Sequence, residues 1–417
     1  MGLIAGTIAF FGGFAAVALF SITVKTLTPI LRLSIVEVAW LVAIPTLTGS
    51  LLRIPFGALV DKYGGRKVIL TQFAIALVGM IGLIATVKAI LDRSISSPGL
   101  GYALLLLFGA LAGTGISIFA SGIAYVSYWF PQRRQGFALG AYAGFGNTAP
   151  GIFTAILPFV LPALGLVGAY VAWTIFLLAT ALVFLAIGYD AYFFQLLKKL
   201  GDRAKAVEAA RRLGEELFPS GSAVESLKVA AKIWRTWALV VAYFTSFGGF
   251  IALTSWFPTY WTNYLGVSLS LAGVLSGVAY SLLTALIRVP GGWISDRYGG
   301  ERTALASYIV LLVGSLIMAF SNSMALSIAG MVIMATGMGL ANAAVFKMVP
   351  RYVPEAVGGA TGWVGGLGAA GGLLLPPVMG YFVAAMGPVG YARGFFAFTA
   401  LSLASILLSY VLFKRRP

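Results

Sequence analysis

Apolar residues run through this chain in long blocks that show neither the single stripe of a soluble amphipathic helix nor the strict alternation of a half-buried strand. Runs such as ALLLLFGALAG (103–113) and IVLLVGSLIMAF (309–320) are apolar on every face. Blocks of about 20 residues or more are long enough as helices to cross roughly 30 Å of hydrocarbon. A barrel would instead show alternating segments of about 10 residues. The pattern predicts twelve spans, at 5–27, 37–60, 68–91, 99–130, 136–161, 164–189, 235–261, 268–294, 302–322, 325–349, 357–386 and 391–413. One long polar stretch interrupts them at 190–234, where KKLGDRAKAVEAARRLGEEL predicts an amphipathic or solvated helix at the membrane surface. The expected architecture is an all-α integral membrane protein with a six-helix half at 1–189, a linker at 190–234 and a second six-helix half at 235–417.

Composition agrees: 60% of residues are hydrophobic, 10% are charged and the mean hydropathy is +0.97, outside the range of soluble domains. The net charge of +16 would suggest nucleic acid in a soluble protein, but its distribution removes that reading. Of 28 Lys and Arg residues, 21 fall on the linker's side of the predicted map, and Lys25, Arg32, Lys88, Arg93 and Arg393 fall opposite. This bias places both termini and the linker in the cytoplasm of a multi-pass protein of the cytoplasmic membrane. With no cysteine and no histidine there is no disulfide framework, no Cys/His metal centre and no histidine proton relay, so no cofactor is expected. The opening MGLIAGTIAFFGG lacks a basic n-region and reads as a first span, not a cleaved signal. Its Met-Gly lacks the Ser/Thr of a myristoylation site.

The two Lys and Arg residues left over lie inside apolar runs, and they belong to a repeat. Aligning LRIPFGALVDKYGG (52–65) with IRVPGGWISDRYGG (287–300) gives Arg, Pro, Gly, Asp, Tyr, Gly and Gly identical at an offset of 235. Parallel duplicated six-helix halves are the construction of major facilitator transporters, which the chain resembles along essentially its whole length. Their turn between helices 2 and 3 reads G-x-x-x-D-x-x-G-R-[KR], and GALVDKYGGRK (57–67) matches with one extra residue. The resemblance implies a conformational turn built on Gly57, Asp61 and Arg66, with Asp296 in the second copy.

Arg53 lies eight residues before Asp61 and Arg288 eight before Asp296, which puts each about 12 Å into the membrane, near its midplane. A cation at that depth costs several kcal/mol and persists where it faces a polar cavity or a partner. All twelve Asp and Glu residues map to loops or helix ends, so the partner is not a nearby acid. Each arginine serves either as a structural donor to helix carbonyls or as half of an anion clamp. A matched pair without counter-ions favours the anion, and the planar fork of a guanidinium suits a small planar oxoanion. The pair alone does not separate nitrate from formate, oxalate or phosphate.

Glycine is concentrated in GAYAGFGNTAPGIF (140–153) and VGGATGWVGGLGAAGGLLLPP (357–377), with eight glycines between 358 and 372. Close helix packing accounts for such glycines, and so does room beside a substrate. GFGNTAPG (144–151) and GMGLANAAVFKMVPRYVPEAVGGATGWVGGLGAAGGLLLP (337–376), with a VFK-x-VP core and a G-rich helix ending in LLLP, resemble the NarK-type nitrate/nitrite porters. The resemblance implies that Arg53 and Arg288 bind the anion, that Asn147 and Tyr243 donate to it, and that Phe119 and Phe247 stack on its flat faces. It also singles out Gly144, Gly146, Gly362, Gly365 and Gly366 in the glycine-rich helices. The chain departs from the family in Ala149-Pro150, where glycine is common, which leaves the curvature of helix 5 open.

Proton symport normally wants a titratable group inside the membrane, and only Lys347, otherwise a positive-inside anchor, and the membrane tyrosines qualify. A dicationic site returns slowly when empty, whereas exchange keeps its charge compensated. The expected activity is nitrate/nitrite antiport by alternating access in a monomer whose partners are nitrate, nitrite and the bilayer. Proton-coupled nitrate symport and exchange of small carboxylates remain as alternatives. An enzyme is not expected, because no nucleophile with a base, metal cluster or phosphate loop is present. A signalling receptor would append a larger soluble domain than these 45 or so residues.

Overall fold

A computed structural model describes residues 1–95, 97–218, 223–353 and 356–415. Among them ten helices are long and apolar enough to cross a membrane, and the two further predicted spans are accounted for by local geometry. The first crossing is short as a regular helix, Gly2–Ala18, and continues through turn residues into Val24–Leu31. The span Ala138–Ile187 has 50 residues, about 75 Å as a helix and more than twice a hydrocarbon core. It breaks at Gly165 (φ 68, ψ 176), backbone open to glycine alone, and so makes the fifth and sixth crossings. The others are Ile35–Tyr63, Gly65–Leu91 and Pro98–Trp129 in the first half, and Trp234–Tyr264, Leu269–Tyr298, Gly300–Phe320, Met324–Val349, Gly359–Arg393 and Phe396–Lys414 in the second.

Irregular backbone gathers in the crossings that face the other half. The first passes through a 3-10 turn at Ala15–Ala18, the second through a break at Leu52, the fourth through a 3-10 turn at Thr114–Ser117 and the fifth through Asn147–Thr148. The seventh and eighth carry π-turns at Phe244–Gly248 and Leu275–Leu282, and the eleventh breaks at Ala370. In contrast Gly65–Leu91, Gly300–Phe320 and Phe396–Lys414 run without interruption. Helices lose regularity inside a bilayer only where protein or a polar cavity re-satisfies the freed backbone groups, so the breaks mark the functional axis.

Both termini lie at the end of the bundle that carries the linker. Trp129 stacks edge-on against Tyr192 at 5.5 Å, its ring lies within 3 Å of a Cβ built on Gly2, and Arg235 donates to the Arg415 carbonyl at 3.5 Å. The linker forms three helices where one was expected: Tyr192–Leu200, Arg203–Arg212 and Ala223–Lys232. Gly201 (φ 65) ends the first, and Asp202 starts the next by accepting from the N–H groups of Ala204 and Lys205. Phe193, Ala206 and Ala210 form a small core. The buried Glu215 carboxylate accepts from the N–H groups of Tyr192 (2.5 Å) and Phe193 (2.9 Å). Burial raises its pKa, and those two bonds oppose the rise. Glu215→Ala leaves two helix-end donors unpaired, and limited proteolysis within 192–218 is expected to accelerate roughly tenfold, from a loss of about 1–2 kcal/mol. The third linker helix docks on the eleventh crossing, where Ser226 Oγ accepts from Gly359 N and the Leu227 carbonyl accepts from Trp363 Nε1, both at 2.9 Å.

The sequence repeat is also a backbone repeat. Gly64 (φ 81, ψ 155) and Gly299 (φ 90, ψ 146) hold the same glycine-only turn after the second and eighth crossings. The side chains around the turns differ. Asp61 accepts from Tyr128 Oη at 2.6 Å, and the Arg66 N–H donates to Asp190 at 2.8 Å while its guanidinium donates to the Leu185 carbonyl. In the second copy Asp296 pairs with Lys347, which is therefore more than an anchor, and the buried Glu301 pairs with Arg351 at 3.0 Å and accepts from Tyr352 Oη. Gly57 faces Ala120 with ordinary room.

On the face opposite the linker the halves meet backbone to backbone. A Cβ placed on Gly277 would stand 2.3 Å from the Gly151 carbonyl, and one on Gly151 would stand 2.6 Å from the Gly277 carbonyl. The eleventh crossing closes likewise on the second, where Gly380 leaves no room for a side chain beside Ala39.

Candidate anion site

Arg53 opens the helix that resumes after the break at Leu52, and it is only 1% exposed. Its Nε donates to the Gly49 carbonyl of its own crossing, before the break, and its Nη1 donates to the Gly365 carbonyl of the other half, both at 3.0 Å. The structural role weighed for this residue is thus partly realised, but it does not exhaust the fork. Arg53 Nη2 is buried without a hydrogen-bond partner. Arg288, half-buried on the eighth crossing, leaves Nη1 in the same condition. The ion pairs among the described residues involve neither arginine, and the charged or titratable groups that bear on Arg53 are Tyr243, Tyr142 and Arg288. Glu355 lies outside the described residues. A buried cation with an unpaired donor is costly unless something negative completes it.

Aromatic rings enclose the pair. The Arg53 guanidinium carbon lies 4.6 Å from the Phe119 ring centroid and 5.3 Å from that of Phe247. Arg288 lies 6.0 Å from the same Phe247 ring and 5.8 Å from Phe346, so one ring touches both cations. Tyr243 stacks on Phe247 (4.8 Å, 7°) and meets Phe346 edge-on (4.8 Å, 84°). Phe346 was not singled out in the sequence, although it sits in the quoted VFK core. Phe119 and Phe247 are 6.0 Å apart and tilted by 30°. A flat anion between two rings needs about 7 Å, two contacts of roughly 3.5 Å each. In this geometry the guanidinium lies beside the two rings and not between them, and holding an anion face to face would require the rings to part.

Asn147 lies in the break of the fifth crossing, buried, with Oδ1 unpaired. Pro150 follows at the first turn of the helix that begins at Ala149, where its missing N–H costs nothing, which answers the question of curvature. Tyr243 ends a regular helix just before the π-turn, and its buried hydroxyl sits near Arg288 without a well-formed hydrogen bond. The glycines divide. Gly146 packs on Phe10, Gly362 on Leu227 and Gly366 on Ile54, all closer than a Cβ permits without adjustment. Gly144 has open room beside Val289, and Gly365 presents its carbonyl to Arg53 with Phe346 and Phe119 at ordinary distance.

The site therefore presents two guanidinium donors and a phenol in an aromatic-walled space at the level of the helix breaks. It can bind a small oxoanion with charge-assisted hydrogen bonds. Compared with known proteins, residues 3–280 and 261–417 match the family model of the Major Facilitator Superfamily. The "Probable nitrate/nitrite antiporter NarK1" of Thermus thermophilus is 30% identical over 90% of this chain and 83% of its own. The "Probable nitrate/nitrite transporter NarK2" of Mycobacterium tuberculosis is 32% identical over 84% and 80%. Among solved structures, a partially occluded inward-open form of the xylose transporter XylE from E. coli superposes with a TM-score of 0.68 over 100% of this chain and 99% of its own, at 14% identity, a likeness of fold.

Proposed function

The chain belongs to the major facilitator superfamily, within its nitrate/nitrite porters, and from that premise we propose that it exchanges nitrate for nitrite across the cytoplasmic membrane, with Arg53 and Arg288 as the anion clamp. It is a transporter and not an enzyme. The observation that carries the reading is a pair of arginines, one from each half, on the shared ring of Phe247 with no acid paired to either among the described residues.

The anion completes Arg53 Nη2 and Arg288 Nη1, Tyr243 donates its hydroxyl, and Asn147 turns its amide N–H toward the oxygens. Phe119, Phe247 and Phe346 exclude water and limit size. Residues 1–189 and 235–417 rock as bodies about this midpoint, the turns at Asp61 and Asp296 face the cytoplasm with the linker and both termini, and the transporter works as a monomer. Without an anion the two cations repel in a medium that screens them poorly, so the return step is slow. Exchange follows from that asymmetry.

Proteoliposomes loaded with nitrite are expected to take up external nitrate at least tenfold faster than anion-free vesicles, with little response to an imposed pH gradient, since two uncompensated cations cost several kcal/mol. Uptake into anion-free vesicles driven by the pH gradient alone would overturn exchange in favour of proton symport. Competition by formate or oxalate as strong as that by nitrite would point to carboxylate exchange.

A further inference from the structure

On the face opposite the linker the halves border a second space, an open cavity of about 440 Å³ whose surface is mostly apolar, with Lys25, Asn263 and Tyr391 set beside Val24, Leu33 and Pro258. Lys25 Nζ, from the first half, donates to Asn263 Oδ1 of the second at 2.8 Å. The same oxygen accepts from Thr262 Oγ1 at 3.2 Å, and Asn263 Nδ2 donates to Tyr391 Oη at 3.1 Å. The ammonium is exposed and its partner is a neutral amide, so its full charge faces the cavity, whose lining includes no carboxylate among the described residues. The acid on the neighbouring second crossing, Glu37, is engaged in a capping box with Ser34.

We propose that this cavity is a second site for a small oxoanion, in which Lys25 supplies the charge and the Tyr391 hydroxyl, which accepts from Asn263 and keeps its own proton to donate, supplies a hydrogen bond. The anion takes Lys25 from Asn263 and so unfastens a bridge between the halves. Identifying that oxoanion with nitrate or nitrite rests on the transport reading above. The bridge is a latch that the substrate itself loosens: the ammonium exchanges a neutral acceptor for a charged one, the stronger hydrogen bond.

The natural chain has no cysteine, which makes the test direct. Thr28→Cys places one thiol three residues from Lys25, on the same face of the helix. Its labelling by anionic sulfonatoethyl methanethiosulfonate and by the cationic trimethylammonium reagent is followed at constant ionic strength in gluconate, with nitrate titrated in. Nitrate is expected to slow labelling in the millimolar range. Adding Lys25→Gln is expected to lower the anionic-to-cationic rate ratio about three- to tenfold, the value of one nearby exposed charge, and to remove nitrate protection. Asn263→Ala frees the ammonium and is expected to strengthen protection, which a misfolded protein would not do. Protection must also survive when Arg53 and Arg288 are both changed to Lys. Protection that persists in Lys25→Gln, is missing with Lys25 present, or vanishes with the arginine pair overturns the second site. The assay needs no transport, so a chain that fails to exchange nitrate in vesicles yet shows Lys25-dependent protection would separate failure of the transport reading from failure of this one.

Discussion

Replacing Arg53 by lysine lowers nitrate exchange by at least a hundredfold while leaving the protein folded and in the membrane. The charge is kept, and what is lost is the fork. Arg53 uses Nε for Gly49, Nη1 for Gly365 and leaves Nη2 free, three directions fixed by one plane. An ammonium on a flexible stem cannot serve both carbonyls and an anion in that geometry. Two charge-assisted hydrogen bonds at roughly 1.5–3 kcal/mol each correspond to about 10² to 10⁴ in rate or affinity. Arg288→Lys is expected to cost less, roughly tenfold, because that side chain is half-buried and water can replace part of what it loses. Initial rates of labelled nitrate uptake into nitrite-loaded vesicles measure both. Near-normal affinity in Arg53→Lys would remove the fixed guanidinium fork from the proposal.

The other large effect lies away from the site. Gly277→Val drives a side chain into the Gly151 carbonyl and the Ala155 N–H, which stand 2.3 and 2.7 Å from where its Cβ would be. These are backbone atoms and cannot step aside, so the fifth and eighth crossings must separate. The expected result is loss of exchange by about fiftyfold or more at a stability cost of roughly 1–3 kcal/mol. The separation weakens closure on the face opposite the linker, and a cysteine at Thr259 should there label faster than in the parent. Gly144→Ala is the control, because its Cβ meets only Val289 at 3.8 Å, and it should exchange within about twofold of the parent. Normal exchange in Gly277→Val would show that tight apposition at this crossing is dispensable for the cycle.

Crossing number and the duplicated turn were legible in the sequence because both rest on local signals, length of apolar run and glycine at a fixed offset. Gly64 and Gly299 repeat in backbone as they do in letters. The breaks were not legible: a π-turn at Phe244–Gly248 changes one hydrogen-bond register inside an apolar run and leaves no compositional mark. The linker's division into three helices could have been read from Gly201-Asp202, a stop followed by a cap, but charge patterning favoured one. Arg53 was found as a misplaced charge. Its bond to Gly365 joins residues 312 apart in the chain, and only the packed halves bring them together. Phe346 was missed because a lone aromatic residue in a transmembrane helix looks like packing until two cations are seen beside it.

The two arginines stand on unequal ground. Arg288 rests on Phe247 and Phe346, both carried by its own half, so its surroundings travel with it. Arg53 rests on Phe119 and Gly49 of its own half, but on Phe247 and Gly365 of the other. When the halves swing apart, one cation keeps its bed and the other is stripped of half of it. In the proposed clamp Arg53 is then the grip whose surroundings change with each stroke.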